Sequence, residues 1–199
     1  MKRGKLIVVS APSGCGKGTI LSEILKNPKY YYSVSATTRK PREGEKDGVH
    51  YRFLQREEFE ELIQQDAFLE YASYCDNYYG TLSAPIEEHL QAGNHVILEI
   101  EVKGAEQIRK KRPDAILIFI EPPSIETLRK RLKKRGTETK EVIEKRVAQA
   151  AEEMTHRNEY DYCIVNDVLA DAVADFKAIA RAAELKVNQE SMCMNFEKG

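Results

Sequence analysis

The amino-acid sequence predicts an α/β fold, a five-stranded parallel sheet with helices on both faces. Two observations carry this expectation. Four short segments are β-branched and almost continuously apolar, as parallel strands buried on both faces must be. Helical patterns alternate with them, the signature of a doubly wound sheet that binds ligands at the carboxyl ends of its strands. The 199 residues, 42% hydrophobic and 32% charged, suffice for one compact unit with a real core and small lobes.

In chain order, the first strand is "LIVVSA" (6–11), followed by a helix that carries Ile20, Ile24 and Leu25. The weakest strand is "YYYSVSAT" (30–37). Residues 35–90 then break the rhythm. Tyrosines and phenylalanines stand there among charges and turn signals ("KPREGEKDG", "CDNYYG"), which predicts an inserted, partly β lobe. "HVILEIE" (95–101) is the next strand, with Ala105 and Ile108 on its following helix, and "AILIFIE" (115–121) comes after it. "SIETLRKRLKKR" reads as a helix with Ser124 as its N-cap and Gly136 just past its end. Ile143, Val147, Ala150 and Met154 trace one face of another helix. "YCIVN" (162–166) closes the sheet, and residues 186–199 read as a frayed tail without a clear period.

Several function classes are disfavoured at once. A net charge of −1 does not suit a whole-molecule nucleic-acid trap. The longest apolar runs, such as "LIVV" and "AILIFI", are far too short to span a membrane. "MKRGKLIVVSA" lacks the long apolar region and cleavage site of a signal peptide, so a cytoplasmic location is expected. Cys15, Cys75, Cys163 and Cys193 form no C-x-x-C pair, and His50, His89, His95 and His156 no H-x-x-x-H pair. Neither a disulfide framework nor a zinc site is expected from such spacing.

Residues 10–19, "SAPSGCGKGT", come close to the phosphate-binding pattern G-x-x-x-x-G-K-[ST]. Ala11 replaces the first glycine and Gly18 the hydroxyl residue; Pro12, Ser13, Gly14, Cys15, Gly16, Lys17 and Thr19 complete the stretch. It lies between a strand and a helix, the context of a P-loop NTPase-type core. Gly14 and Gly16 let backbone N–H groups converge on phosphate oxygens, and the helix from Lys17 adds its positive end. Lys17 is placed to reach the β- and γ-phosphates. Thr19 stands one residue beyond the usual Mg²⁺-contacting hydroxyl. Cys15 lies where a helix N-terminus favours the thiolate, although a small filler residue would serve equally. Such a loop implies a triphosphate donor without naming the acceptor.

Six ordered motifs go further: "SAPSGCGK", "SVSATTRKPREGEKDGVHY", "FLEYA", "NYYGT", "LEIEVKG" and "RLKKRGTE…KR". Together, from about Lys5 to Leu185, they make the chain resemble the guanylate kinases, which pass a phosphate from ATP to GMP with Mg²⁺ bridging the ATP phosphates. The resemblance implies a single domain at about 4–185, with a core of 4–34, 91–123 and 151–185. It adds a small mixed β/α GMP-binding lobe at 35–90 and a helical lid at 124–150. Arg39, Arg42 and Tyr51 offer planar forks and a phenol suited to a phosphate monoester. By resemblance these three, with Tyr79 and Ser35, hold the GMP phosphate.

Glu70 sits in the otherwise apolar "AFLEYA". A carboxylate only accepts hydrogen bonds, and guanine presents N1–H and N2–H₂ side by side, whereas adenine presents a bare N1. Unpaired buried groups of this kind discriminate by about 10⁴-fold or more. By resemblance Glu70 and the hydroxyl of Thr81 read the base. "LEIEVKG" places Glu99 and Glu101 two apart at a strand's carboxyl end, hence on one side of the sheet. The resemblance puts both near GMP and the metal, and pairing with a lid arginine suits one of them equally well. Thr19, a water or Glu99 remain the alternatives for the magnesium contact that Gly18 cannot make.

Residues 124–146 hold nine lysines and arginines against four glutamates. A loose phosphoryl-transfer transition state needs cations around the transferred oxygens, and a lid can bring them in. By resemblance Arg131 and Arg146 act there with Lys17 and Arg39, while Arg135 and Asn166 lie near adenine. Lys103, Lys130, Lys133, Lys134 and Lys145 read as solvated. The phosphate acceptor is already an anionic nucleophile, so no obligatory general base is expected. Two rivals stand beside this reading. One is another nucleoside-monophosphate kinase, since "GKGT" also resembles the adenylate kinase loop. The other is a non-catalytic guanylate-kinase-like binding module. Oligomeric state is left open.

Overall fold

The computed structural model of the protein describes residues 2–136 and 139–186, apart from the side chain of Arg135. The expected tail therefore lies almost wholly outside the described residues. Strand β1 (Leu6–Ser10) runs through the centre of a five-stranded sheet with β2 (Tyr30–Tyr32), β7 (His95–Glu99), β8 (Ile116–Glu121) and β9 (Tyr162–Val165). The order is β2-β7-β1-β8-β9 and every pairing is parallel. The continuous apolar runs are explained by two-sided burial. Leu6, Val8, Val96 and Leu98 face one layer, where Ile86, Leu90, Ala105 and Ile108 pack, and Ile7, Val9, Ile97 and Ile118 face the other, with Ile20, Ile24 and Phe176. The helices behind these residues are α3 (Ser83–Gln91) and α4 (Val102–Lys111) on one face, and α1 (Lys17–Ile24) and α7 (Leu169–Leu185) on the other.

Three expectations are corrected. The segment 30–37 is not one strand. Ser33 N–H still bonds the Ile97 carbonyl at 3.0 Å, after which the chain leaves the core and Ala36–Thr37 becomes β3 of a second sheet. The strand expected at 95–101 stops at Glu99, and Glu101 takes the N-cap position of α4, so strand alternation does not relate the two carboxylates. Residues 83–90, placed with the lobe by the expected bounds 35–90, form most of helix α3, which packs under β7 with Ile86 and Leu90 fully buried in the core.

The second sheet is mixed, with order β4-β3-β6-β5, where β4 is Arg52–Phe53, β5 Phe68–Tyr74 and β6 Asn77–Leu82. Its strands join by one parallel and two antiparallel pairings. Helix α2 (Arg56–Gln64) lays Phe59 on Phe68, with stacked ring centroids 4.3 Å apart, to give the lobe its own small core. The hairpin between β5 and β6 turns at Cys75 and Asp76, both with positive φ (47° and 59°), as the sharp twist of a two-residue hairpin requires.

Helices α5 (Ile125–Arg135) and α6 (Lys140–Thr155) occupy the segment expected as a lid at 124–150 and run past it, followed by a 3₁₀ turn at His156–Glu159. Ser124 caps α5 by accepting from Thr127 N–H at 3.1 Å, a contact worth about 1 kcal/mol, and Gly136 ends it in the left-handed region. Ile143, Val147 and Ala150 are buried as the helical spacing predicts, against Leu128, Leu132 and Cys15. Among the described residues no helix is long and apolar enough to cross a membrane.

Candidate active site

The loop after β1 closes on glycines. Gly14 and Gly16 have φ of 93° and 87°, which L side chains rarely adopt. Close packing adds to the demand. A Cβ on Gly16 would stand 2.4 Å from Asn166 Nδ2, and one on Gly14 2.9 Å from Leu132 Cδ2 of the lid. Asn166 is buried and donates from Nδ2 to the Cys15 carbonyl at 2.7 Å, tying the end of β9 to the loop. Arg131 donates to the Asn166 carbonyl at 2.8 Å and to the Cys15 carbonyl at 3.5 Å, and Arg146 donates to Ser13 Oγ. Two arginines of the lid helices thus already meet the loop. Cys15 is fully buried, and burial pushes its thiol up to about 12, so a thiolate favoured by the helix N-terminus is not what the packing produces. It fills space beneath α5. Gly18 is different: a Cβ there would meet no atom within 4 Å, so crowding does not explain its missing side chain.

Lys17 begins α1, and its Nζ lies 3.3 Å from Glu99 Oε1 at the carboxyl end of β7. Tyr32, at the end of β2, donates its hydroxyl to Glu99 Oε2 at 3.1 Å. Burial, with the Glu99 charge and this bond adding to it, raises the Tyr32 pKa far above a free phenol's. Parallel strands end together, which is why three side chains so distant in sequence converge.

In the lobe, Arg39 makes two bonds to Glu45, at 2.9 and 3.0 Å, and its guanidinium lies 5.4 Å from the centroid of the Tyr51 ring. Tyr51 in turn meets Tyr79 edge-on, at 6.1 Å between centroids. The Arg39 bonds, with Arg42 N–H, hold the Glu45 carboxyl at about 2. Arg42 itself is exposed, and Ser35 sits half-buried at the start of β3, accepting from Arg52 N–H through its carbonyl.

Glu70, on β5, is buried and accepts from the Thr81 hydroxyl across the hairpin at 2.5 Å. Its other oxygen faces α4, where a Cβ on Gly104 would approach Oε2 to 3.0 Å. Burial raises the Glu70 pKa, the Thr81 bond opposes the shift, and the charge of Glu101 adds to it.

The loop, its lysine and the buried carboxylate–hydroxyl pair stand around the carboxyl ends of β1, β2 and β7, with the lid helices against the loop. The family model for guanylate kinase matches residues 3–183, nearly the whole chain. The chain belongs to the guanylate kinase family. Among relatives of this family, the guanylate kinase of Desulfitobacterium hafniense is 51% identical over 188 residues, 94% of each chain. That of Carboxydothermus hydrogenoformans is 50% identical over 200 residues, covering 100% of this chain and 98% of the relative. A crystal structure of guanylate kinase from Anaplasma phagocytophilum superposes with a TM-score of 0.73 at 33% identity, over 94% of this chain and 89% of that one.

Within this family fold, the residues singled out by sequence fall into three groups. Ala11, Pro12, Ser13, Gly14, Cys15, Gly16, Lys17, Gly18 and Thr19 line the turn and first residues of α1, with Arg131, Arg146 and Asn166 brought onto it. Ser35, Arg39, Arg42, Tyr51, Glu70, Tyr79 and Thr81 all lie on the second sheet or the turn that leaves it. Glu99 and Glu101 stand between the groups, and Glu101 is exposed. Arg135 ends α5, and its side chain is outside the described set. Tyr32, Glu45 and Gly104 were missed. Each acts through another residue, so only the bare "E" of "PREGE" and the "G" of "EVKG" could have hinted at the last two.

Proposed function

We propose that the chain transfers the γ-phosphate of ATP to GMP, reversibly, giving ADP and GDP. The buried Glu70–Thr81 pair carries this reading, because a carboxylate held at the wall of a lobe fits the two adjacent donors of guanine and no other common base edge. Arg39, Arg42, Tyr51, Tyr79 and Ser35 hold the acceptor phosphate, with Glu45 keeping the Arg39 fork oriented. The loop 11–19 cradles the donor phosphates through backbone N–H groups, and Lys17 adds the charge. Arg135 and Asn166 border the adenine.

The acceptor oxygen is anionic, so these residues work by alignment and charge neutralisation rather than by proton removal. Lys17, Arg131 and Arg146 reach the loop from α1, α5 and α6 and surround the transferred group with positive charge. A magnesium ion bound with ATP would supply further charge neutralisation. An all-oxygen set suits it, with Thr19, a water or Glu99 replacing the hydroxyl that Gly18 lacks. Glu99 lies 3.3 Å from the Lys17 ammonium. The chain works as one cytoplasmic unit of core, lobe and lid, in purine nucleotide metabolism, with no nucleic acid or membrane partner.

A coupled assay under saturating Mg-ATP tests the reading with GMP, AMP, UMP and CMP. Turnover should be confined to GMP and its deoxy form, and equal turnover of AMP would overturn the role of Glu70. Titration with ATP separates an enzyme from a binding module, which should show no appreciable affinity.

A further inference from the structure

On the far side of α4 from Glu70, a second set of side chains converges. Glu106 projects from α4, and His156 and Glu159 from the 3₁₀ turn that ends the lid. Their ligand atoms all lie within 4.8 Å of one another, and His156 Nδ1 is 2.8 Å from Glu159 Oε1. We propose that Glu106, His156 and Glu159 form a divalent transition-metal site that joins the base of the lid to the core.

Three observations support the assignment. First, the donors are mixed. An imidazole beside two carboxylates selects Zn²⁺, Co²⁺ or Ni²⁺ over Mg²⁺, which prefers oxygen alone. Two donors on one tetrahedral ion stand roughly 3.4 Å apart, so small rotations of these surface side chains close the set. Second, Glu106 has no ion-pair partner among the described residues although its helix is rich in cations. Arg109 is spent on Asp161, at 2.9 Å, and Lys111 on Asp66, at 2.8 Å. Two carboxylates and a histidine thus share one region beside Arg109 and Lys110, neither of which pairs with Glu106, and a divalent cation can draw such donors together. Third, Glu106 and Glu159 line one cavity of about 220 Å³, beside Tyr160. The sequence lacks H-x-x-x-H because the ligands come from two elements 50 residues apart in number, Glu106 and His156, which only the fold brings together.

Occupancy would pin the last turn of α6 to α4, the helix whose first turn packs on Glu70. The test is calorimetric titration of the chelator-treated full chain with Zn²⁺, without nucleotide, so that the result is independent of turnover. One saturable site per chain is expected, and Glu106→Gln and His156→Gln should each weaken it by about tenfold or more. His89→Gln, on α3, should leave it unchanged. Co²⁺ should bind without a thiolate charge-transfer band. No saturable site overturns the proposal. So does a site that survives both substitutions, as binding by the exposed Cys75 or Cys163 would.

Discussion

Lys17 is the only lysine of the loop, and its pairing with Glu99 at 3.3 Å keeps the ammonium at the carboxyl end of β7, where the proposed donor phosphates would lie. Replacing it with alanine removes charge that matters most in the transition state. Lys17→Ala should therefore cut kcat by about 10²-fold or more while moving the KM for GMP little, as steady-state kinetics will read. Near-full turnover would overturn its assigned role. Glu70 makes a prediction in pH. Its pKa is raised by burial, so the ionised form that the proposed guanine contact requires is lost on acidification at a pH above the ordinary value of 4.5. A raised folded pKa also means that ionised Glu70 is a liability to the fold which disappears in acid. The KM for GMP should thus rise as pH falls, without this residue contributing to acid unfolding. In Glu70→Gln the KM should be higher throughout and insensitive to pH over that range, with GMP less sharply preferred over AMP.

At the scale of elements, α4 bears on the Glu70 carboxylate and α7 on the stability of the sheet. The first turn of α4 approaches the Glu70 carboxylate closely because Gly104 has no side chain. Gly104→Ala adds a methyl 3.0 Å from Oε2, against an oxygen pair already pinned by Thr81. It should raise the KM for GMP several-fold while leaving that for ATP unchanged; equal effects on both would point to general damage to the fold instead. At the other end of the sheet, His95 accepts from Lys5 N–H on Nδ1 at 3.0 Å, which leaves Nε2–H to donate to Glu184 at 2.7 Å. Glu184 also bonds Lys29 and Arg181, and these partners hold its carboxyl down at about 2. A depressed carboxyl pKa stabilises the fold above 4.5 and ceases to do so as pH falls toward 2. Glu184→Gln should lower the Tm at neutral pH by a few degrees, and the gap to the parent should narrow progressively below pH 4.5.

For the whole molecule, the lid is tied to the loop through Arg131, which bonds two backbone carbonyls from different parts of the core. Arg131→Ala should accordingly reduce kcat by about 10- to 100-fold and also lower the Tm by a few degrees, measured by kinetics and calorimetry on one preparation. An unchanged Tm would mean that these carbonyl bonds hold nothing in place. The overall architecture was legible in advance because it rests on local rules: two-sided burial made the strands of the core continuous, and Ser124 and Gly136 marked both ends of α5. The lobe's glycines and aromatic residues signalled a second unit, but not that Tyr30–Tyr32 and Ala36–Thr37 belong to different sheets. Nothing local distinguishes them, since each strand is decided by the partner edge available to it.

The amino-acid sequence by itself determined the glycine-rich turn between strand and helix, the parallel core, the helices after residue 124 and the residue types of the second sheet, because spacing and side-chain chemistry are properties of the chain alone. Only the tertiary structure decided who meets whom. It set Glu99 between Lys17 and Tyr32, Asn166 beneath Cys15, and Gly104 against Glu70. It also buried Cys15 beyond use as a thiolate and gathered Glu106 with His156 and Glu159. These are contacts between elements far apart in the chain, set by where parallel strands end and how helices pack across them, and no pattern within one segment encodes them.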